Sequence, residues 1–230
     1  MQSIRNWWQI RTAAAAAGLA ACVLAAPAAR AQVSGKVTVT EAGGKEATDV
    51  GNAVVYLDRG PRANPVRVEM TLDGRNFSPR VTVVPVGSTV VFPNRDPFNH
   101  NVFSLSDRNS FDLGLYGRGE KAEHRFRQPG VVSVFCNIHP RMVGFILVRD
   151  NTYFTQPGAD GSFAIPDVPA GSYTLHVWHE RAPEVTQQIV VPEGGLADLN
   201  VALDASGYKY VQHKNKYGRE YGSGATRERY

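Results

Sequence analysis

From Gln32 onward the chain is cut into short runs rich in Val, Phe, Tyr and Thr by Gly, Pro, Asn and Asp at close intervals, and no stretch sustains a helical period. Runs of this length and composition bury themselves as strands in packed sheets, so the expected fold class is all-β, of the sandwich kind. Strands are expected at 33–40, 53–57, 66–70, 80–84, 88–92, 101–105, 121–127, 131–136 and 143–148, then at 160–165, 168–175, 184–191 and 197–203. Residues 106–119 are polar and glycine-containing and read as a long surface loop.

Residues 1–31 have the make-up of an export signal: Arg5 and Arg11 precede an apolar run from Ala13 to Ala26, and Ala29-Arg30-Ala31 supplies small residues before Gln32. That run is too short and alanine-rich for a membrane span of about 20 apolar residues. A competing reading takes Leu19-Ala20-Ala21-Cys22 as a lipobox, with Cys22 lipidated and membrane-anchored. Val23 to Ala29 stays apolar where a polar tether would follow such an anchor, so a periplasmic chain starting near Gln32 is the expectation. Cys136 is then the sole thiol, and an intrachain disulfide is excluded. In an oxidising compartment such a thiol is an intermolecular bridge, an inert buried group or a metal ligand.

Its neighbours favour the metal. Cys136, His139 and Met142 are spaced by three residues each in Phe135-Cys136-Asn137-Ile138-His139-Pro140-Arg141-Met142, and His100-Asn101 lies upstream. A thiolate, two imidazoles and a thioether are the donors of a type 1 copper centre, because soft sulfur suits the reduced ion and imidazole tolerates either oxidation state. Cys136 ends an expected strand, and His139 and Met142 lie on the turn before the return strand at Val143. His176 and His179 point to opposite faces of a strand and form no chelating pair, while His124 and His213 have no companions.

No Ser-His-Asp or phosphate-loop pattern appears. Three strong donors plus a thioether leave a metal no open position for substrate, so an enzyme is not expected. Residues 32–204 carry 16 Lys and Arg against 19 Asp and Glu, which is no nucleic-acid footprint. The tail, 205–230, carries 6 against 2 and has no apolar period, so it reads as basic, flexible and suited to hastening encounter with an acidic redox partner.

Two resemblances extend this reading. Phe92-Pro93-Asn94-Arg95-Asp96, His100-Asn101-Val102, Pro129-Gly130 and the Cys136 to Gly144 run are similar to the cupredoxin pattern, with the short ligand loop of amicyanin in particular. The resemblance covers roughly residues 66–149, within an expected cupredoxin domain of 61–150, and implies His100, Cys136 and His139 as equatorial ligands of one copper ion and Met142 as the axial one. It further implies that the Asn101 backbone N–H bonds the cysteine sulfur, that Pro140 shields His139, and that electrons pass the edge of His139 through an apolar patch including Pro97, Phe98, Pro140 and Val143. Val132 and Val134 depart from the aromatic residues common before the cysteine, and the segment 106–119 is unfamiliar for a small carrier.

Asp160-Gly161-Ser162-Phe163 and Val168-Pro169-Ala170-Gly171-Ser172-Tyr173-Thr174-Leu175 resemble the carboxypeptidase regulatory-like, or transthyretin-like, β-sandwich module. Its missing first strands resemble residues 33–37 and 53–57, which implies a discontinuous domain, 32–60 with 151–204, interrupted by the cupredoxin-like one. The whole chain resembles exported proteins labelled methylamine-utilisation-like. The expected function is a one-electron carrier between redox proteins; the alternatives are a copper-delivery protein, or a surface interaction module in which copper is incidental.

Overall fold

The computed structural model describes residues 31–221; residues 1–30, which hold most of the expected export signal and Cys22, and the last nine residues lie outside the described residues. The chain begins with β1 (Gln32–Thr40) and β2 (Val54–Leu57). Ten strands follow: β3 (Arg67–Glu69), β4 (Thr71–Asp73), β5 (Asn76–Ser78), β6 (Val81–Pro85), β7 (Thr89–Pro93), β8 (His100–Ser104), β9 (Phe111–Tyr116), β10 (Lys121–Arg125), β11 (Gly130–Phe135) and β12 (Val143–Arg149). The last group is β13 (Phe154–Thr155), β14 (Ser162–Pro166), β15 (Gly171–His179), β16 (Ala182–Val191) and β17 (Leu196–Asp204). Among the described residues no helix is long and apolar enough to cross a membrane.

The strands form two sandwiches, and the fold is all-β. One has sheets ordered β10-β7-β3 and β6-β12-β11-β8-β9, with the hairpin β4-β5 beside them. The other has sheets β14-β1-β17 and β13-β2-β15-β16, so the chain leaves this second sandwich after β2 and re-enters it at β13. β1 is seated between β14, antiparallel, and β17, parallel. Its Val33, Val37 and Val39 enter the same core as Phe163, Ile165, Leu175 and Val201. Gly161, at φ +82, keeps that seating possible: a Cβ there would lie 2.2 Å from the carbonyl oxygen of Val37.

Two strands are buried on both faces and join the sandwiches. On β2, Val55 and Leu57 face the core of the second sandwich, while Val54 and Tyr56 face Val81 and Leu147 of the first. On β12, Ile146 and Val148 enter the core of the first sandwich and Leu147 meets the second. Burial on both sides is why these runs are continuously apolar instead of alternating.

Three features differ from the sequence expectation, the shortest being β13, which pairs with β2. The expected loop 106–119 contains β9, which pairs with β8 from Ser104↔Phe111 to His100↔Tyr116. Phe111, Leu113 and Tyr116 pack against the core, but Gly114 at φ +75 and a register shift between Asn101 and Phe103 break the alternation that marks a strand. The hairpin β4-β5 turns through Gly74 and Arg75, both at positive φ, and buries Leu72 and Phe77.

Candidate metal centre

The ligand-bearing residues converge because β11 has two neighbours. It pairs with β12 from Gly130↔Val148 to Phe135↔Val143, which closes residues 136–142 into a loop, and it meets β8 at Phe135↔Phe103. Inside the loop the Cys136 amide donates to the Met142 carbonyl at 3.3 Å, and the Met142 amide donates to the His139 carbonyl at 2.9 Å. His100, the first residue of β8, is thereby brought beside the loop.

Cys136 Sγ lies 3.6 Å from His100 Nδ1 and 3.4 Å from His139 Nδ1. These separations are what bonds of about 2.0 Å to nitrogen and about 2.3 Å to sulfur span at roughly 105–115°, so the three donors fit one ion. His100, Cys136 and Met142 are at most 1% exposed and His139 is 6% exposed. Met142 belongs to the same buried cluster as Cys136. Among the described residues this is the one cluster of three or more His, Cys, Asp or Glu side chains able to hold a metal.

Burial pushes the Cys136 thiol up, while the backbone N–H groups of Asn101, Ile138 and His139 aimed at the sulfur pull it down. Burial lowers the His100 imidazolium below its ordinary range, against the pull of Asp96. His100 Nε2 stands 2.8 Å from Asp96 Oδ2. With the carboxylate accepting, the proton belongs on Nε2 and the Nδ1 lone pair faces Cys136, the tautomer a metal requires.

Asp96 is fixed in turn by the amides of Gly74 at 2.8 Å and Arg75 at 2.9 Å. Burial pushes its carboxyl up, but the Arg75 amide, the His100 ring and the Gly74 amide outweigh burial and hold it below the ordinary range. Sequence reasoning gave Asp96 no role; the available signal was a carboxylate four residues before a ligand histidine.

The remaining expected positions separate into two groups. Asn101 meets the sulfur through its backbone N–H and ties β9 to the site through Nδ2, which donates to Asp112 Oδ1 at 2.7 Å and to the Gly114 carbonyl at 2.8 Å. Phe98 lies against both ligand imidazoles, 5.3 and 5.4 Å between centroids, with the Arg75 guanidinium 5.0 Å above its ring. Pro97 beside it is exposed. Val143 lies elsewhere, in a groove with Phe135, Phe145, Tyr208 and Tyr210. Pro140 is half-buried, and its carbonyl accepts the Tyr210 hydroxyl at 3.2 Å.

That hydroxyl belongs to the tail, which was expected to be flexible and here crosses the ligand loop. The Lys216 amide donates to Asn137 Oδ1 at 2.9 Å, its ammonium meets Asp112 at 2.7 Å, and the Tyr221 hydroxyl reaches the Cys136 carbonyl at 3.4 Å. His213 stacks on Phe135 at 4.4 Å. The other histidines stay apart: His176 stacks on Tyr56 at 4.7 Å, His124 stacks on Phe111 at 4.2 Å, and His179 is buried beside Asp49.

A family model described as polysaccharide lyase family 4, domain II, matches residues 140–199, under half of the chain and a description different from the carboxypeptidase regulatory-like one. No curated protein matches the chain. Among solved structures, a copper-containing nitrite reductase from Thermus scotoductus SA-01 is 32% identical over 38% of this chain and 23% of its own length, with a TM-score of 0.35. This chain thus spans about a quarter of that reductase. A purple cupredoxin from Nitrosopumilus maritimus is 28% identical over 36% of this chain and 99% of its own, TM-score 0.34, and a reduced amicyanin variant is 17% identical over 41% and 98%, TM-score 0.34. Likenesses at these TM-scores decide nothing about function.

Proposed function

We propose that this protein holds one copper ion on His100 Nδ1, Cys136 Sγ and His139 Nδ1, with the Met142 thioether as a fourth donor, and serves as a periplasmic one-electron carrier between redox proteins. The observation that carries the reading is the buried triangle of two imidazole nitrogens and one thiol sulfur. Copper, when bound, supplies reversible one-electron chemistry.

The chain's residues make that exchange inexpensive. Asp96 locks the orientation and tautomer of His100. Amides of Asn101, Ile138 and His139 stabilise negative charge on the Cys136 sulfur. Burial of all four donors excludes water, and β11, β12 and β8 hold them in one arrangement that need not change with the electron count. Four donors also leave no position for a substrate, which favours a carrier over an enzyme. The periplasmic location rests on the export-signal expectation for residues 1–31, and the proposed docking patch on Phe98 against both imidazoles.

Addition of Cu(II) to the purified protein is expected to give an intense visible thiolate-to-copper charge-transfer band that bleaches on reduction and returns on oxidation. A colourless Cu(II) complex, or bleaching without return, would falsify the carrier.

A further inference from the structure

A side chain of the first sandwich links the metal loop to the second. Arg80, immediately before β6, turns its guanidinium between the two sandwiches. Nε and Nη2 donate to the two carboxylate oxygens of Glu180, the latter at 2.6 Å, while Nη1 donates to the carbonyl of Val143 at 3.2 Å. Val143 directly follows Met142. The Arg80 backbone holds the same stretch, since its carbonyl accepts the Phe145 amide at 2.9 Å. Packing there is tight: a Cβ on Gly144 would lie 3.2 Å from that carbonyl oxygen and 2.9 Å from Phe77 Cβ.

Glu180 is well placed to anchor this contact. It sits with Arg181 in the two-residue turn between β15 and β16, where His179 pairs with Ala182. Arg181 binds Glu41 at 2.6 Å and also Asp49, which fastens the turn to its own sandwich. The Glu180 side chain is 3% exposed, so its charge is sheltered and its partner fixed. A planar fork with donors on three nitrogens is needed to grip a carboxylate and a carbonyl at once; an ammonium is a point charge and cannot hold that geometry.

We propose that Arg80 is a positioning residue for the metal loop and that the second sandwich, through Glu180, fixes the end of the loop that carries Met142. The inference rests on the ligand loop assigned above, but its first readout needs no metal. Amide hydrogen exchange on the metal-free protein should show the Cys136 amide, which bonds the Met142 carbonyl, exchanging about tenfold faster in Arg80→Lys and Glu180→Gln, with β1 and β15 changed less than about twofold. Unchanged Cys136 exchange in both variants overturns the proposal. An equal rise throughout both sandwiches also overturns it, because the pair would then serve only global stability. In the Cu(II)-loaded protein, Arg80→Lys should alter the relative intensities of the visible bands at full copper occupancy; identical spectra count against the proposal. Absence of any visible band in the unsubstituted protein sinks the copper carrier, while amide exchange still decides the role of Arg80.

Discussion

Each sandwich contains a pair of histidines with a carboxylate nearby, and among the described residues only one pair joins a cluster of metal-type donors. In the first, His100 starts β8 and His139 lies on the loop between β11 and β12; their ring centroids are 4.8 Å apart, and Cys136 lies within reach of both. In the second, His176 and His179 are three residues apart on β15. One lies flat on Tyr56, and the other receives the Arg181 amide on Nδ1 at 3.2 Å and faces Asp49 with Nε2 at 3.8 Å. Burial and a carboxylate neighbour are common to His100 and His179. The difference is convergence: a donor triangle needs side chains from separate strand ends, whereas residues on one strand diverge.

The strongest way to break this comparison is to remove the sulfur. Cys136→Ser should abolish the charge-transfer band and weaken Cu(II) binding by on the order of a hundredfold or more, beyond what loss of a supporting residue costs. His179→Ala should leave both unchanged while lowering stability. Competitive copper titration with both variants checks this, and comparable losses would mean that the second histidine pair also binds metal.

Below that in size come the cores. Leu175→Ala empties space in the second sandwich and Ile146→Ala in the first; each residue is at most 1% exposed, and each substitution should cost about 2–5 kcal/mol in denaturant unfolding. Copper affinity of the folded Leu175→Ala protein should match that of the parent. A drop in affinity there would show the second core reaching the metal loop by packing as well as through Arg80.

A finer test swaps the two carboxylates. Asp96→Asn keeps a hydrogen-bond acceptor for His100 Nε2 but loses the charge, and should weaken copper binding about tenfold. Asp49→Asn, beside His179, should not change it. Equal copper affinity in parent and Asp96→Asn proteins would mean that the fold alone orients His100.

How much of this was legible in the sequence follows from where the signals lie. Strand positions were legible because β-branched runs and turn residues alternate locally. The donors were legible because Cys136, His139 and Met142 have fixed spacing on one loop and Cys136 is the one thiol among the described residues. The seating of β1 against β14 and β17 could be anticipated from a recurring motif, not from pattern. By contrast, β9 was hidden by Gly114 and a register shift. Asp96 was hidden because a carboxylate before a histidine has no periodic signature, and Arg80 because its partner is a hundred residues away. The tail was misleading for a related reason. Its contacts use hydroxyls, a backbone amide and one stacked ring, none of which produces apolar periodicity.

That tail gives the smallest expected effect and separates the sandwiches most sharply, because it leaves the second sandwich at Asp204 and crosses the metal loop of the first. A chain ending at Gly207 loses the Tyr210, Lys216 and Tyr221 bonds to the loop and β9, and the stacking of His213 on Phe135. Each partly exposed hydrogen bond contributes about 0.5–1.5 kcal/mol net, and an exposed pair such as Lys216–Asp112 about 0–1. The entropy lost on ordering the segment opposes these gains. Truncation should therefore speed copper release only a few-fold and leave unfolding of the second sandwich unchanged, as stopped-flow chelator competition and denaturant titration would show. A hundredfold faster release would make the tail a structural part of the site. Unaltered release would mean that β11, β12 and Arg80 hold the loop unaided.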